Sequence, residues 1–368
     1  MSTLFIGGLI GVSFIYYLSQ DIETDKKVED LALGKDTETH WGQVNGFPVH
    51  CSDFVDMHKC INSYYEGGQN QEIVLWLGNS QLHAINQIKP KDTTAIPILH
   101  RYVKKDLKYL LTFSQPNANL KEHQFLFEYL VKKLPITTLV LPVVFDDMRE
   151  TGVRSSLIDA DKNQRIASFV KNSLHNKTPE LNQPDLSLNE QDMIALEDTI
   201  QKHSEKYLDL KLKKIWGIWE QRPILRGKIL NGLYLFRNRL FGINASTVRR
   251  IIPARYQMNM QAFREILQLT KKKNIKALVY IAPLRNDVNI PYDSNEYSNF
   301  KTEIQLISEE YDVKFFNFEN LVPGEYWGTK ESTTIGGDSE LDFMHFQAGG
   351  HKLLADGLYS ELIKFWNK

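Results

Sequence analysis

Ile73-Val74-Leu75-Trp76-Leu77-Gly78-Asn79-Ser80 is the stretch on which the fold turns. Its first five residues are all apolar and give way at Gly78, the pattern of a short buried strand that runs into a loop. An uninterrupted apolar run, without polar alternation, predicts a strand covered on both faces, as in a parallel sheet. Ligands of open α/β sheets sit beyond the carboxyl ends of the strands, which is where Ser80 falls.

Outward from this stretch, strands and helices alternate. Further strands are expected at 95–99, 109–113, 137–145, 275–281 and 313–318, the third tempered by Pro142. A helix is expected over 120–134, with Leu126, Phe127, Leu130, Val131 and Leu134 on one face and Pro135 stopping it. Met260, Phe263, Ile266 and Leu267 stripe another, and helices are expected at 303–311 and 351–365. Strands separated by helices predict a parallel sheet with helices on both faces.

Residues 151–252 break the alternation. Their first half is loop-like around Pro179 and Pro184, and their second half is basic and aromatic. From Lys202 to Arg255 there are 13 Lys or Arg against three acids, with Trp216, Trp219, Tyr234, Phe236 and Phe241 among them. Such a segment either lies on an anionic bilayer or docks a membrane partner, or it is an insertion packed on the main fold with solvated charges. Residues 3–18 are almost all apolar or small, close to the shortest membrane-spanning helix of about 17 residues. The organisation expected is therefore an anchor at 1–19, a tether and cap at 20–72, a catalytic body at 73–150 and 253–368, and a helical insertion at 151–252. A cleaved signal or a buried core helix are the rival readings of the N-terminus; no basic start and no small-residue cleavage site favour a signal. A formal net charge of -1 over 368 residues gives no reason to expect nucleic acid as a partner.

Two cysteines, Cys51 and Cys60, alternate with His50 and His58. They either close a short disulfide loop, remain thiols or contribute to a zinc site, although adjacent His50 and Cys51 suit tetrahedral ligation poorly.

Near the C-terminus the chain reads Asp342-Phe343-Met344-His345. Aspartate and histidine three residues apart can share one turn, where the carboxylate orients the imidazole and the imidazole takes a proton from a serine hydroxyl. Taken singly, Ser80 is an ordinary helix cap, His345 a structural histidine and Asp342 a loop acid. Their joint order is what points to acyl transfer. His83 reads as structural, and Arg285-Asn286-Asp287 either lines the substrate cleft or forms a charged loop.

In these blocks the chain resembles the SGNH (GDSL-like) hydrolase superfamily. Gly78-Asn79-Ser80 is similar to its first block, usually Gly-Asp-Ser, and Asp342-Phe343-Met344-His345 to its last, Asp-x-x-His. The resemblance covers about 73–150 and 255–368. It implies an α/β, three-layer flavodoxin-like parallel sheet with a helical insertion and an N-terminal membrane helix. It also implies Ser80 as nucleophile, His345 as base and Asp342 as orienting acid, with no metal or cofactor. The anchor and insertion look most like the membrane-tethered branch, which includes the proteins of lipoteichoic acid D-alanylation and alginate O-acetylation. The partners this implies are an acylated glycan or envelope polymer and a membrane-bound O-acyltransferase. Asn79 departs from the usual aspartate, and the middle blocks that bring a glycine N–H and an asparagine to the oxyanion hole are not plainly present. Asn117, Asn119 and Arg149 are the candidate donors; Asp146 would hold Arg149 or orient a substrate hydroxyl. Each of these loops has a plainer reading as a turn. Two other functions stay open: a non-catalytic accessory protein of the same fold, and a phosphoryl-transfer enzyme with Asp146, Asp147 and Asp342 around Mg²⁺. No glycine-rich phosphate loop supports the second.

Overall fold

The structure is a computed structural model. It describes residues 37–51, 57–67, 71–154, 222–244, 246–334 and 337–366, with 157, 207 and 211 singly. Leu33–Leu157 and Phe236–Lys368 form one compact unit, which carries the site. The other unit takes Met1–Ala32 and Ile158–Leu235, and its described part is mainly the start of a helix over Arg222–Leu240. The expected anchor at 1–19 lies outside the described residues, and among those described no helix is long and apolar enough to cross a membrane.

In chain order the strands are β1 (Thr37–Thr39), β2 (Gln43–Val44), β3 (Phe47–Pro48), β4 (His50–Cys51), β5 (Glu72–Gly78), β6 (Ala84–Asn86), β7 (Lys108–Ser114), β8 (Ile136–Val143), β9 (Lys276–Ile281), β10 (Lys314–Asn317), β11 (Trp327–Lys330) and β12 (Glu340–Phe346). The helices are α1 (Met57–Gly67), α2 (Ala95–Val103), α3 (Leu120–Leu130), α4 (Arg222–Leu240), α5 (Pro253–Lys273), α6 (Ser294–Glu310) and α7 (Ala348–Trp366).

The main sheet runs β10-β9-β8-β5-β7-β4, and every pairing in it is parallel. Setting β4 aside, β5, β7, β8, β9 and β10 stand in the flavodoxin-like order 2-1-3-4-5. The apolar run of β5 is central, and Ile73 to Leu77 are fully buried. From β5 the chain moves one way to β7 through α2, then crosses back over β5 to β8 through α3. Right-handed crossovers therefore put α2 and α3 on opposite faces. α7 packs against α2 and α5 against α3, so each face has its layer. The reversal of direction falls at β5, and in open α/β sheets ligands bind beyond the carboxyl ends of the strands at such a point, which is where Ser80 lies.

Two expectations need correction. Residues 95–99 open helix α2 rather than forming a strand. Ala95 to Leu99 are all buried, so no period distinguishes the two readings, and Pro97 lies in the first helical turn, where its missing N–H has no helical partner to lose. The stretch read as tether and cap also joins the body. β4 is the edge of the main sheet, with His50 opposite Thr112 and Cys51 opposite Phe113, and β1 pairs antiparallel with β6. A two-residue edge strand has no periodicity to read. Cys51 and Cys60 form a disulfide with Cα atoms 6.1 Å apart, which joins β4 to α1.

Candidate active site

Gly78 closes β5, and Asn79 leads into a single 3₁₀ turn over Ser80–Leu82. The Asn79 side chain accepts from the Gln81 N–H at 3.0 Å and so caps the turn. A Cβ at 78 would meet Leu82 Cδ1 at 2.2 Å, so glycine lets the Leu82 side chain pack against the end of the strand. The turn holds Ser80 with 6% of its surface exposed.

The acid and base arrive on β12, which is irregular at this point. Between the pairs Thr329–Leu341 and Trp327–Phe346, β11 supplies only Gly328, while β12 supplies Asp342 to His345. The excess bulges out of the ladder. Asp342 Oδ1 accepts the N–H groups of Met344 at 2.8 Å and His345 at 3.1 Å, closing the bulge as a local turn. Asp342 and His345 thus share a turn, as the spacing predicts, but the turn is a strand bulge.

Ser80 Oγ lies 3.0 Å from His345 Nε2, and His345 Nδ1 lies 3.1 Å from Asp342 Oδ2. These distances are within the reach of direct proton transfer. With the carboxylate accepting at Nδ1, the neutral ring carries its proton there and presents a bare Nε2 to the serine. Asp342 is buried, which alone would raise its pKa. Attraction by His345 and the hydrogen bonds from His345, Met344 N–H and His345 N–H outweigh burial and hold the carboxyl at about 2.

Gln81 and Asn86, which carry no sequence signal, complete the frame together with Arg285 and His83. Gln81 Nε2 donates to the carbonyls of Pro283 at 2.8 Å and Met344 at 3.0 Å, tying the nucleophile turn to the bulge. Asn86 Nδ2 donates to Thr329 O at 2.9 Å and Asp342 Oδ2 at 3.3 Å. A Cβ at Gly328 would sit 1.9 Å from Asn86 Oδ1, so glycine is what admits this side chain. Arg285 is buried, pairs with Asp287 and donates from Nη1 to Gly328 O at 2.9 Å. It braces the bulge. His83 donates to or accepts from Ser114 Oγ at 2.7 Å beneath the Trp41 ring, with His50 on the other side of the same hydroxyl at 2.6 Å. Burial, with smaller contributions from His351 and His40, lowers the His50 pKa to about 3, so that ring is neutral.

The expected oxyanion donors are engaged elsewhere. Asn119 caps α3, accepting from Glu122 N–H and donating to Gly152 O at 3.0 Å. Asn117 is exposed with φ 52°, a left-handed turn residue. Both line a cavity of about 300 Å³ with Glu122 and Arg154. Arg149 Nε donates to Arg250 O at 3.0 Å, and its Nη1 lies 3.5 Å from Asp146. Asp146 also pairs with Arg249 and accepts from the Tyr292 hydroxyl at 3.2 Å. Asp147 is buried and accepts from Asn79 Nδ2 at 2.7 Å. Asp146, Asp147 and Asp342 therefore have separate partners rather than one shared centre, and no group of three potential ligands is present among the described residues. A larger groove of about 750 Å³ lies between α3 and α5, lined by Glu128, Lys132, Glu265 and Lys272 among others, but by none of the Ser80 frame.

No protein-family model and no curated protein matches the chain. Among solved structures the chain is similar to an aryl esterase of M. smegmatis, with 9% identity, 80% of this chain and 99% of that one covered, and a TM-score of 0.37. It is also similar to a psychrotrophic esterase of Pseudoalteromonas sp., with 9% identity, 81% and 100% covered, and a TM-score of 0.36. The chemistry rests on the site itself.

Proposed function

We propose that the chain is a serine esterase or acyltransferase of the SGNH type. The observation that carries this is the continuous hydrogen-bonded run from Ser80 Oγ through His345 to Asp342. His345 Nε2 takes the Ser80 proton as Oγ attacks an acyl ester or thioester. Asp342 holds the ring and stabilises the imidazolium that forms. The imidazolium returns its proton to the leaving group, and water or a hydroxyl resolves the acyl-enzyme. The finer reading is a membrane-tethered enzyme that modifies an extracytoplasmic glycan or envelope polymer beside a membrane-bound O-acyltransferase. Its support is the apolar stretch at 3–18 and the basic aromatic stretch at 202–255.

The test is labelling of the full chain with a fluorophosphonate. Folded wild type reacts at Ser80, while Ser80→Ala and His345→Ala do not. A non-catalytic accessory role is the second reading, favoured by the engagement of Asn119 and Arg149 away from the nucleophile. A folded wild-type chain that stays unlabelled decides for it.

A further inference from the structure

Attack by Ser80 turns the substrate carbonyl oxygen into an anion, and a working site aims preorganised donors at it. Asn117, Asn119 and Arg149 are otherwise placed, whereas one side-chain pair, Asn79 and Asp147, lies directly beside the nucleophile. Asn79, the residue before Ser80, is 3% exposed and directs Nδ2 to Asp147 Oδ2 at 2.7 Å. Asp147 lies in the 3₁₀ turn Asp146–Arg149 that follows β8, the strand next to β5. It keeps 7% of its surface open. Its Oδ1 makes no hydrogen bond with any described residue and is not sealed from solvent.

Two neighbouring acids are thus treated in opposite ways. Asp146 has Arg249, Arg149 and the Tyr292 hydroxyl. Asp147 has a neutral amide and no ion pair among the described residues. A carboxylate taken out of water without a cation is costly, and such a group keeps its proton instead. Burial, reinforced by Asp146 and Glu150, pushes the Asp147 carboxyl well above its usual range, against the smaller opposing effects of Asn79 and Arg154. With Asn79 donating to Oδ2, the proton belongs on Oδ1, and a protonated carboxyl is a hydrogen-bond donor.

We propose that Asp147, held beside the nucleophile by Asn79, is the side-chain donor of the oxyanion hole. This rests on the serine reading above. As the bond from Ser80 Oγ to the carbonyl carbon forms, the serine proton passes to His345 and the π pair moves onto the carbonyl oxygen, which accepts from Asp147 Oδ1–H. When the tetrahedral species collapses, the π bond reforms and the bond to the leaving group breaks. The leaving group takes the proton from His345. Asp147 keeps its own proton throughout. Asn79 has two tasks: its Oδ1 shapes the nucleophile turn and its Nδ2 decides which oxygen of Asp147 is free.

The proposal carries a pH signature. The charged groups around Asp147 are Asp146 and Glu150 from its own turn and its continuation, and Arg154 from the loop after them. The neighbouring α5 meets this turn through Asn259, which donates to the carbonyls of Met148 and Glu150, and through Arg255, which donates to Arg149 O. Ionisation of Asp147 as pH rises through its raised pKa replaces a donor by an anion, so reactivity falls with that rise.

The experiment measures the rate constant for fluorophosphonate labelling of the full chain against pH, for wild type, Asp147→Asn and Asp147→Ala. Peptide mass spectrometry locates the label and circular dichroism checks the fold. Wild type is expected to lose rate as pH rises through the ionisation of Asp147. Asp147→Ala is expected to be about 10²–10³-fold slower at neutral pH, as for loss of one oxyanion donor. Asp147→Asn, with an amide N–H that does not titrate, recovers most of that loss and lacks this decline. Labelling at Ser80 with the same pH profile in Asp147→Asn as in wild type overturns the proposal and leaves the serine reading standing. That comparison decides the matter even if Asp147→Ala does not fold. Absence of label on folded wild type overturns both.

Discussion

Asn86 is fully buried and has two acceptors in front of its amide nitrogen, Thr329 O and Asp342 Oδ2, so the orientation of its amide is settled by its neighbours. With the N–H groups of Met344 and His345 and the imidazole of His345, it is the fourth donor to one carboxylate. A hydrogen bond to a charged group contributes about 1.5–3 kcal/mol, and at 3.3 Å this one belongs at the lower end. Asn86→Ala is therefore expected to lower kcat for ester hydrolysis about tenfold. As Asn86 acts only through Asp342, KM should stay constant. A change in KM with constant kcat would instead place Asn86 on the substrate.

At the scale of elements, β4 is the weakest part of the main sheet, with two residues paired on one side only. The Cys51–Cys60 bridge compensates by tying it to α1 across a sequence separation of 9. In the chain-entropy account a loop this short is worth about 3 kcal/mol. Replacing both cysteines by alanine is expected to lower the unfolding free energy by that amount, read as a lower urea midpoint. An unchanged midpoint would mean that β4 and α1 hold without it. The bulge of β12 is the complementary case. An irregularity of pairing, opposite a glycine that admits Asn86, brings acid and base together. In a regular strand, residues three apart point to opposite faces.

For the whole molecule, the two site acids act on stability with opposite sign. Asp342 titrates at about 2 in the folded chain and at about 3.9 when unfolded. Its contribution is present above about pH 4 and is lost as pH falls through the folded value, and the difference corresponds to about 2–3 kcal/mol. Denaturation across this acid range should show wild type losing that much more stability than Asp342→Asn; parallel curves would contradict the pairing. Asp147, raised by burial, contributes in the other direction: its share is complete at low pH and is lost as pH rises through its folded pKa.

Much of this was legible in the residues. The unbroken apolar run of β5, its end at Gly78, and the order of Ser80 before Asp342 and His345 are local patterns, and local patterns specify strands, breaks and candidate chemistry. The strand read at 95–99 was wrong because a fully buried segment carries no period, and β4 went unread because two residues form none. Only the tertiary structure decided that Asn86 and Gln81 brace the site and that Asp147 faces Asn79. The last contact spans 68 positions. A side chain's task depends on which partner the fold brings within about 3 Å of it, and no spacing along the chain encodes that.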